Sequence, residues 1–243
     1  MLSLFLNDTF NWERDAVYSL ESNINLVKVC CLIYCPLIFG IKNLNLKLKL
    51  NKLFFLWNIS LSIFSFIGTL ILVPNLIDII YNNSFNYSVC YESYKSHPMV
   101  SRFAYYFIIS KIFELIDTIF IALKSSNIIF LHWWHHLVTL IYCWESGILS
   151  RPSGLWFCTM NYTVHSFMYL YYALSTLNIK IKNKWIITIL QISQMIFGCY
   201  VTFYYSFNCS NTEIDYFGLT MYFIYLFLFI NHLLFKILKI KIN

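Results

Sequence analysis

Three histidines fall within five residues of the stretch LHWWHHLVTL, residues 131–140, in a chain that holds only six. His132, His135 and His136 share an arc of about 100° on an α-helix. Imidazoles grouped in this way can ligate a metal, act as base or nucleophile, or serve as hydrogen-bonding groups. The surrounding residues are apolar. A polar group in an apolar, membrane-like segment is costly and marks a functional site by default. Trp133 and Trp134 between them read as anchors at a membrane surface.

Three further groups could take part. In KIFELIDT, Lys111, Glu114 and Asp117 step by three and occupy one broad helical face. Lys111 can neutralise Glu114, so this is either a catalytic cluster or a structural polar network. In NYTVHSFMYLYY, Asn161 and His165 share a face, and Met168, Tyr169, Tyr171 and Tyr172 follow. Taken alone, the tyrosines read as packing. In TILQISQ, Thr188, Gln191 and Gln194 again step by three, in a pattern that hydrogen bonds between helices also explain.

The elements that must position these groups follow from composition. Of 243 residues, 59% are hydrophobic and 12% charged, against about 25% charged in soluble domains. The chain reads as one all-α integral membrane domain spanning 1–243, with the lipid bilayer as its first partner and no nucleic acid expected. Seven apolar segments cover 26–41, 53–80, 104–123, 128–147, 155–175, 185–206 and 218–237. Pro74 is expected to kink or end the second. The opening LSLFL is too short for a signal peptide and no basic residue precedes it.

The connecting segments alternate in charge. Lys42, Lys47, Lys49, Lys52, Lys124, Lys180, Lys182, Lys184, Lys236, Lys239 and Lys241 fall on one side, and Arg14, Lys28, Lys95, Arg102 and Arg151 on the other. The excess of positive charge assigns the first set to the cytosol, with a lumenal N-terminus and a cytosolic C-terminus. Three glycosylation triplets, at Asn82, Asn86 and Asn208, fall on the lumenal side. So do Cys90 and Cys209, which an oxidising lumen would either join or leave as two thiols.

Counted from the cytosolic helix ends, His135 and His136 lie roughly 10–12 Å deep, and Glu114, Asp117, Gln191 and Gln194 roughly 9–14 Å. His165 lies roughly 15 Å deep. One polar chamber between helices, open to the cytosol, accounts for all four groups together.

These motifs resemble the ELO family of very-long-chain fatty acid elongases. The family's KxxExxDT corresponds to Lys111, Glu114, Asp117 and Thr118, and its HxxHH to His132, His135 and His136. Its histidine–tyrosine motif matches Asn161, His165, Met168, Tyr169, Tyr171 and Tyr172, and its TxxQxxQ matches Thr188, Gln191 and Gln194. All four occur in the family's order. Inside HxxHH the chain has Trp-Trp where members often have an aliphatic residue and Tyr, which bears on substrate preference.

The resemblance implies seven transmembrane helices. Six form a barrel around a narrow acyl tunnel and the first is peripheral. It implies a 3-ketoacyl-CoA synthase of the endoplasmic reticulum, and KIKIN at the C-terminus is similar to the family's dilysine retrieval signal. The reaction condenses acyl-CoA with malonyl-CoA, needs no further cofactor and no metal, and leaves reduction and dehydration to separate ketoreductase, dehydratase and enoyl reductase partners. A homodimer is open. By analogy, His135 would accept the acyl group as an acyl-imidazole, with His165 acting on the malonyl-derived carbon or as base. His132 and His136 would orient, and Glu114 and Asp117 would fix tautomers. Lys111, Asn161, Tyr169, Tyr172, Gln191, Gln194, Lys124 and Lys182 would bind substrate. Two rival readings remain: a membrane di-iron desaturase or hydroxylase, which uses similar histidine boxes, and a non-enzymatic transporter with the chamber as its site.

Overall fold

The computed structural model describes residues 9–179, 185–209 and 215–242. Among these residues every regular element is helical. Seven helices are long: α1 (Ile24–Asn43), α2 (Asn51–Asn82), α3 (Pro98–Leu123), α4 (Phe130–Ile148), α5 (Gly154–Thr176), α6 (Trp185–Asn208) and α7 (Tyr216–Ile242). Their lengths, about 28–48 Å at 1.5 Å per residue, match a hydrocarbon core of about 30 Å. By length and composition α1, α2 and α6 are apolar enough to cross a membrane. Helices α3, α4 and α5 carry the charged, imidazole and amide groups of the first three motifs, which lowers their hydropathy. Outward residues such as Leu32, Leu70 and Phe203 are more than half exposed, as a lipid-facing surface requires.

The seven helices coincide with the seven apolar segments, with two differences at prolines. Helix α3 begins at Pro98 rather than 104. Proline at a first helical position forfeits no hydrogen bond. Arg102, whose charge interrupts the apolar pattern, is buried with its guanidinium 5.6 Å from the centre of the Phe10 ring. Helix α2 runs through Pro74 to Asn82, so of the two expectations for this proline the ending does not occur. A break within the apolar layer would strand backbone groups that lipid cannot satisfy.

Helix α2 lies along α5. At their crossing, a Cβ on Gly68 would stand 2.7 Å from the Tyr162 ring, so only glycine admits the tyrosine there. Ser62 Oγ donates across the same seam to the Ser166 carbonyl at 2.8 Å. Small residues at such seams let helices approach closely where lipid offers no hydrophobic drive. Further pairs are α2 with α3, α3 with α4, α4 with α7, α7 with α6 and α6 with α5. Helix α1 packs on α3 and α4, and its Tyr34 hydroxyl donates to Thr118 Oγ1 at 2.6 Å.

At the end remote from the histidine box, two short helical turns, Trp12–Val17 and Tyr18–Ser22, lie against α3 and α4. Trp12 donates to Ser150 Oγ at 2.9 Å, and Trp144 donates to the Leu20 carbonyl at 3.0 Å. These turns have no counterpart among the apolar segments, because they are too short and too polar to register as one. Nearby, buried Asp215 accepts from the Tyr142 hydroxyl at 2.7 Å and lies 3.3 Å from Arg151 Nη1. This pair ties the entry of α7 to α4 and to the α4–α5 turn.

A disulfide joins Cys90 to Cys209 with Cα atoms 5.3 Å apart. It ties the short helix Phe85–Cys90 to the end of α6 across a separation of 119 residues. A covalent tie over so long a loop restricts the unfolded chain. Cys209→Ser is expected to lower stability by about 2–4 kcal/mol. Thermal unfolding in detergent without reductant checks this. Reducing the wild type should reproduce the drop, and equal melting of the two proteins would refute it.

Candidate active site

Helix α3 supplies the charges. Lys111 Nζ lies 2.7 Å from Glu114 Oε1 and 2.8 Å from Asn161 Oδ1, and 4.1 Å from the centre of the Phe107 ring. With the residue only 2% exposed, these partners replace its lost hydration. Ser110 Oγ also donates to Glu114, at 3.3 Å. One turn on, Asp117 accepts from Trp57 Nε1 at 2.5 Å and from the Tyr169 hydroxyl at 2.7 Å. Both carboxylates are thus buried with specific donors, as buried charge requires.

Two of the four histidines face these carboxylates. His136 lies between them, with Nδ1 4.0 Å from Glu114 and Nε2 4.0 Å from Asp117. His165 Nδ1 lies 3.8 Å from Glu114. Asn161 Nδ2 lies 3.1 Å from His165 Nε2. The Lys111 contact fixes the amide with its oxygen toward the ammonium, so its NH₂ group donates to His165. The neutral ring therefore carries its proton on Nδ1, facing Glu114. With Nε2 already engaged, His165 is a poorer base than the motif alone implies. His132 packs edge-on against His136, ring centres 4.6 Å apart. Its Nε2 is buried with no hydrogen-bond partner among the described residues.

All three motif histidines of α4, together with Asp117, Asn161, His165, Tyr169, Tyr172, Gln191 and Gln194, line one cavity of about 370 Å³. That is the size of a small-molecule site. The first turns of α2, α4 and α6 and the last turns of α3 and α5 border it, through Phe54, Leu131, Thr188, Ile121 and Tyr172. Alternating chain direction brings these ends to one side. The cavity lies there, opposite the Asp215–Arg151 pair. Gln191 Nε2 lies 3.3 Å from Met168 Sδ, a weak acceptor.

Three expected residues stand apart from the cavity wall. Lys111 and Glu114 lie behind it and reach it through Asn161, His136 and His165. Lys124 sits outside, 4.0 Å from the centre of the Phe54 ring, whose residue lines the cavity. Lys180, Lys182 and Lys184 fall outside the described residues.

The motifs did not point to Trp57 or Asn58 on α2, nor to Thr139 and Tyr225 beside His135. Asn58, buried in an otherwise apolar helix and lining the cavity, was a readable signal by the same rule that singled out the histidines. Trp57 and Tyr225 look like ordinary membrane aromatics, and only their contacts distinguish them. Among the described residues no group of three or more His, Cys, Asp or Glu is placed to hold a metal ion.

Long apolar helices that gather imidazoles, carboxylates and amides onto one partly apolar cavity define a helical membrane protein with a buried polar site. The ELO family model, GNS1/SUR4, matches residues 19–237, and the chain belongs to that family. It is 34% identical to very long chain fatty acid elongase 4 of Trypanosoma cruzi, over 93% of this chain and 88% of the relative. It is 37% identical to very long chain fatty acid elongase 6 of Gallus gallus, over 79% of this chain and 74% of the relative. With the Homo sapiens elongase 6 it shares 37% identity over the same fractions.

Proposed function

We propose that the chain is a fatty acid elongase that condenses a long-chain acyl-CoA with malonyl-CoA to give 3-ketoacyl-CoA, CO₂ and CoA. The observation that carries this reading is the convergence of His132, His135, His136 and His165 with Asn161, Gln191 and Gln194 on one cavity. Polar groups for a thioester stand there beside apolar wall for a chain, including Val164, Met195, Phe229 and Leu233.

His135 is the acyl acceptor. Its Nε2 attacks the thioester carbonyl, a C–N bond forms, the C–S bond breaks, and CoA leaves as thiolate to take a proton from solvent. Malonyl-CoA then loses CO₂, and the electron pair of the broken bond becomes an enolate. The enolate carbon attacks the acyl carbon, so a C–C bond forms and the C–N bond breaks, returning free imidazole. Asn161, Gln191 and Gln194 offer amide donors for thioester and enolate oxygens. His165 completes the wall that receives the malonyl group, and His132 offers its unpartnered Nε2 to substrate. Glu114 and Asp117 orient His136 and His165.

The neighbour order of α2 to α7 supports a six-helix barrel around an acyl tunnel, with α1 outside. In this reading all seven helices cross the endoplasmic reticulum membrane as one polytopic domain. The N-terminus is lumenal, and the C-terminal lysines are a cytosolic retrieval signal. Lys124 attracts CoA phosphates, and Lys182, which lies outside the described residues, is given the same role from its place in the sequence. No cofactor beyond the two CoA substrates is needed. Separate reductase and dehydratase enzymes complete the cycle.

The test is to incubate purified protein in detergent with radiolabelled malonyl-CoA and acyl-CoA primers, without reductant. Labelled 3-ketoacyl-CoA is the expected product. Its absence from folded protein across the primers would overturn the reading.

One prediction concerns a residue outside the four motifs. Trp57→Phe keeps a ring but removes the indole N–H from Asp117. Leaving a buried carboxylate oxygen without its donor costs about 1–3 kcal/mol. The condensation kcat is expected to fall roughly 10- to 100-fold with little change in KM. An unchanged kcat would mean that Asp117 holds its place without Trp57.

A further inference from the structure

His135 has partners behind the cavity wall. Thr139 Oγ1, one turn along α4, lies 3.4 Å from His135 Nδ1. The Tyr225 hydroxyl, from α7, lies 2.8 Å from Thr139 Oγ1. The same hydroxyl donates to the backbone carbonyl of His135 at 3.2 Å. The Tyr225 ring packs against the imidazole, ring centres 4.7 Å apart. His135 lines the cavity, whereas neither Thr139 nor Tyr225 does.

The direction of this loop follows from its end. A carbonyl only accepts, so Tyr225 must donate to it. The single proton of Tyr225 is then spent, and Thr139 must donate to Tyr225. The single proton of Thr139 is spent in turn, and Thr139 Oγ1 can only accept from His135 Nδ1–H.

We propose that Thr139 and Tyr225 are positioning residues that hold His135 as the Nδ1–H tautomer, with the lone pair of Nε2 as the reacting nitrogen. The inference rests on the acyl-imidazole reading above and deepens it. A side chain that can present either nitrogen is committed in advance to one. The loop also closes on a group that takes no proton. When Nε2 is acylated and thiolate leaves, the Nδ1 proton stays on the ring. The adduct is then a cationic acyl-imidazolium, a better acceptor for the enolate than a neutral acyl-imidazole. The charges balance: the enolate neutralises the cation as the C–C bond forms, and the ring returns to its Nδ1–H form.

Four variants and one spectrum test this. Thr139→Val removes the hydroxyl at nearly constant volume, and Tyr225→Phe removes only the other hydroxyl. Each is expected to lower kcat roughly 10- to 100-fold, the equivalent of one buried hydrogen bond, with KM for acyl-CoA unchanged. The double variant should be no slower than the slower single, because the two hydroxyls act in series. Thr139→Ser, which restores the hydroxyl, should recover most of the rate. ¹⁵N NMR of histidine-labelled protein, with His135 assigned by its loss in His135→Ala, should show protonated Nδ1 and unprotonated Nε2. In Tyr225→Phe it should show mixed tautomers. Wild-type kcat in folded Thr139→Val, or an Nε2–H tautomer in the wild type, would overturn the proposal. The wild-type spectrum decides even where a variant fails to fold. A wild type with the Nδ1–H tautomer but no 3-ketoacyl-CoA product would instead defeat the elongase reading.

Discussion

Replacing His135 by alanine is expected to abolish condensation, with a loss in kcat of about 10³-fold or more, while the protein still folds. The acyl-imidazole route asks this ring to be the covalent acceptor, and neither His136 nor His165 is free to substitute. His136 is held between Glu114 and Asp117, and His165 Nε2 is taken by Asn161. Folding should survive because Thr139 and Tyr225 keep their mutual hydrogen bond at 2.8 Å and the backbone carbonyl at residue 135 keeps its donor. The contrast with His165→Ala is informative. That variant should slow the malonyl half-reaction yet still release CoA when given acyl-CoA alone. His135→Ala should release none. Turnover by His135→Ala above a hundredth of the wild-type rate would remove the covalent role from this residue.

The second large effect falls on folding. Lys111→Met is expected to destabilise the protein by about 3–5 kcal/mol, since it leaves Glu114 as a buried charge without its counterion. It also removes the donor that Asn161 Oδ1 accepts from at 2.8 Å, and so frees the amide that fixes His165. A loss of that size is a large fraction of the stability of an ordinary domain, about 5–15 kcal/mol. Adding Glu114→Gln should restore most of the stability, because the stranded charge is gone. It should not restore activity, because His136 and His165 lose the carboxylate they both face. Thermal unfolding and the condensation rate, measured on the same preparations, separate the two effects. If Lys111→Met melts like the wild type, the ion pair is not what holds this part of the bundle.

Much of this was legible in the sequence because membrane burial makes polar residues conspicuous. Four histidines, two carboxylates and three amides stood out against apolar runs, and their depths along the helices already converged. The long helices could likewise be read, since apolar run length sets them. The start of α3 was read too late, because a first-turn proline carries the helix through the stretch that holds Arg102, and Pro74, expected to kink or end α2, does not end it. What the sequence hid was the second layer of the site. Trp57, Thr139 and Tyr225 are of types that membrane helices carry anyway. Their roles depend on which helix faces which, and that arises only in packing. The placement of Lys111 is a similar case. Spacing puts it on the face of Glu114, but only the fold turns it away from the cavity toward Asn161.

The most direct measurement is mass spectrometry of the protein after brief incubation with a long-chain acyl-CoA and no malonyl-CoA, quenched and digested. The account predicts one acyl group on the peptide that contains His135. It should be absent in His135→Ala and discharged when malonyl-CoA is added before the quench. Full condensation with no adduct at any time, or an acyl group found on His165 or on a cysteine instead, would contradict it.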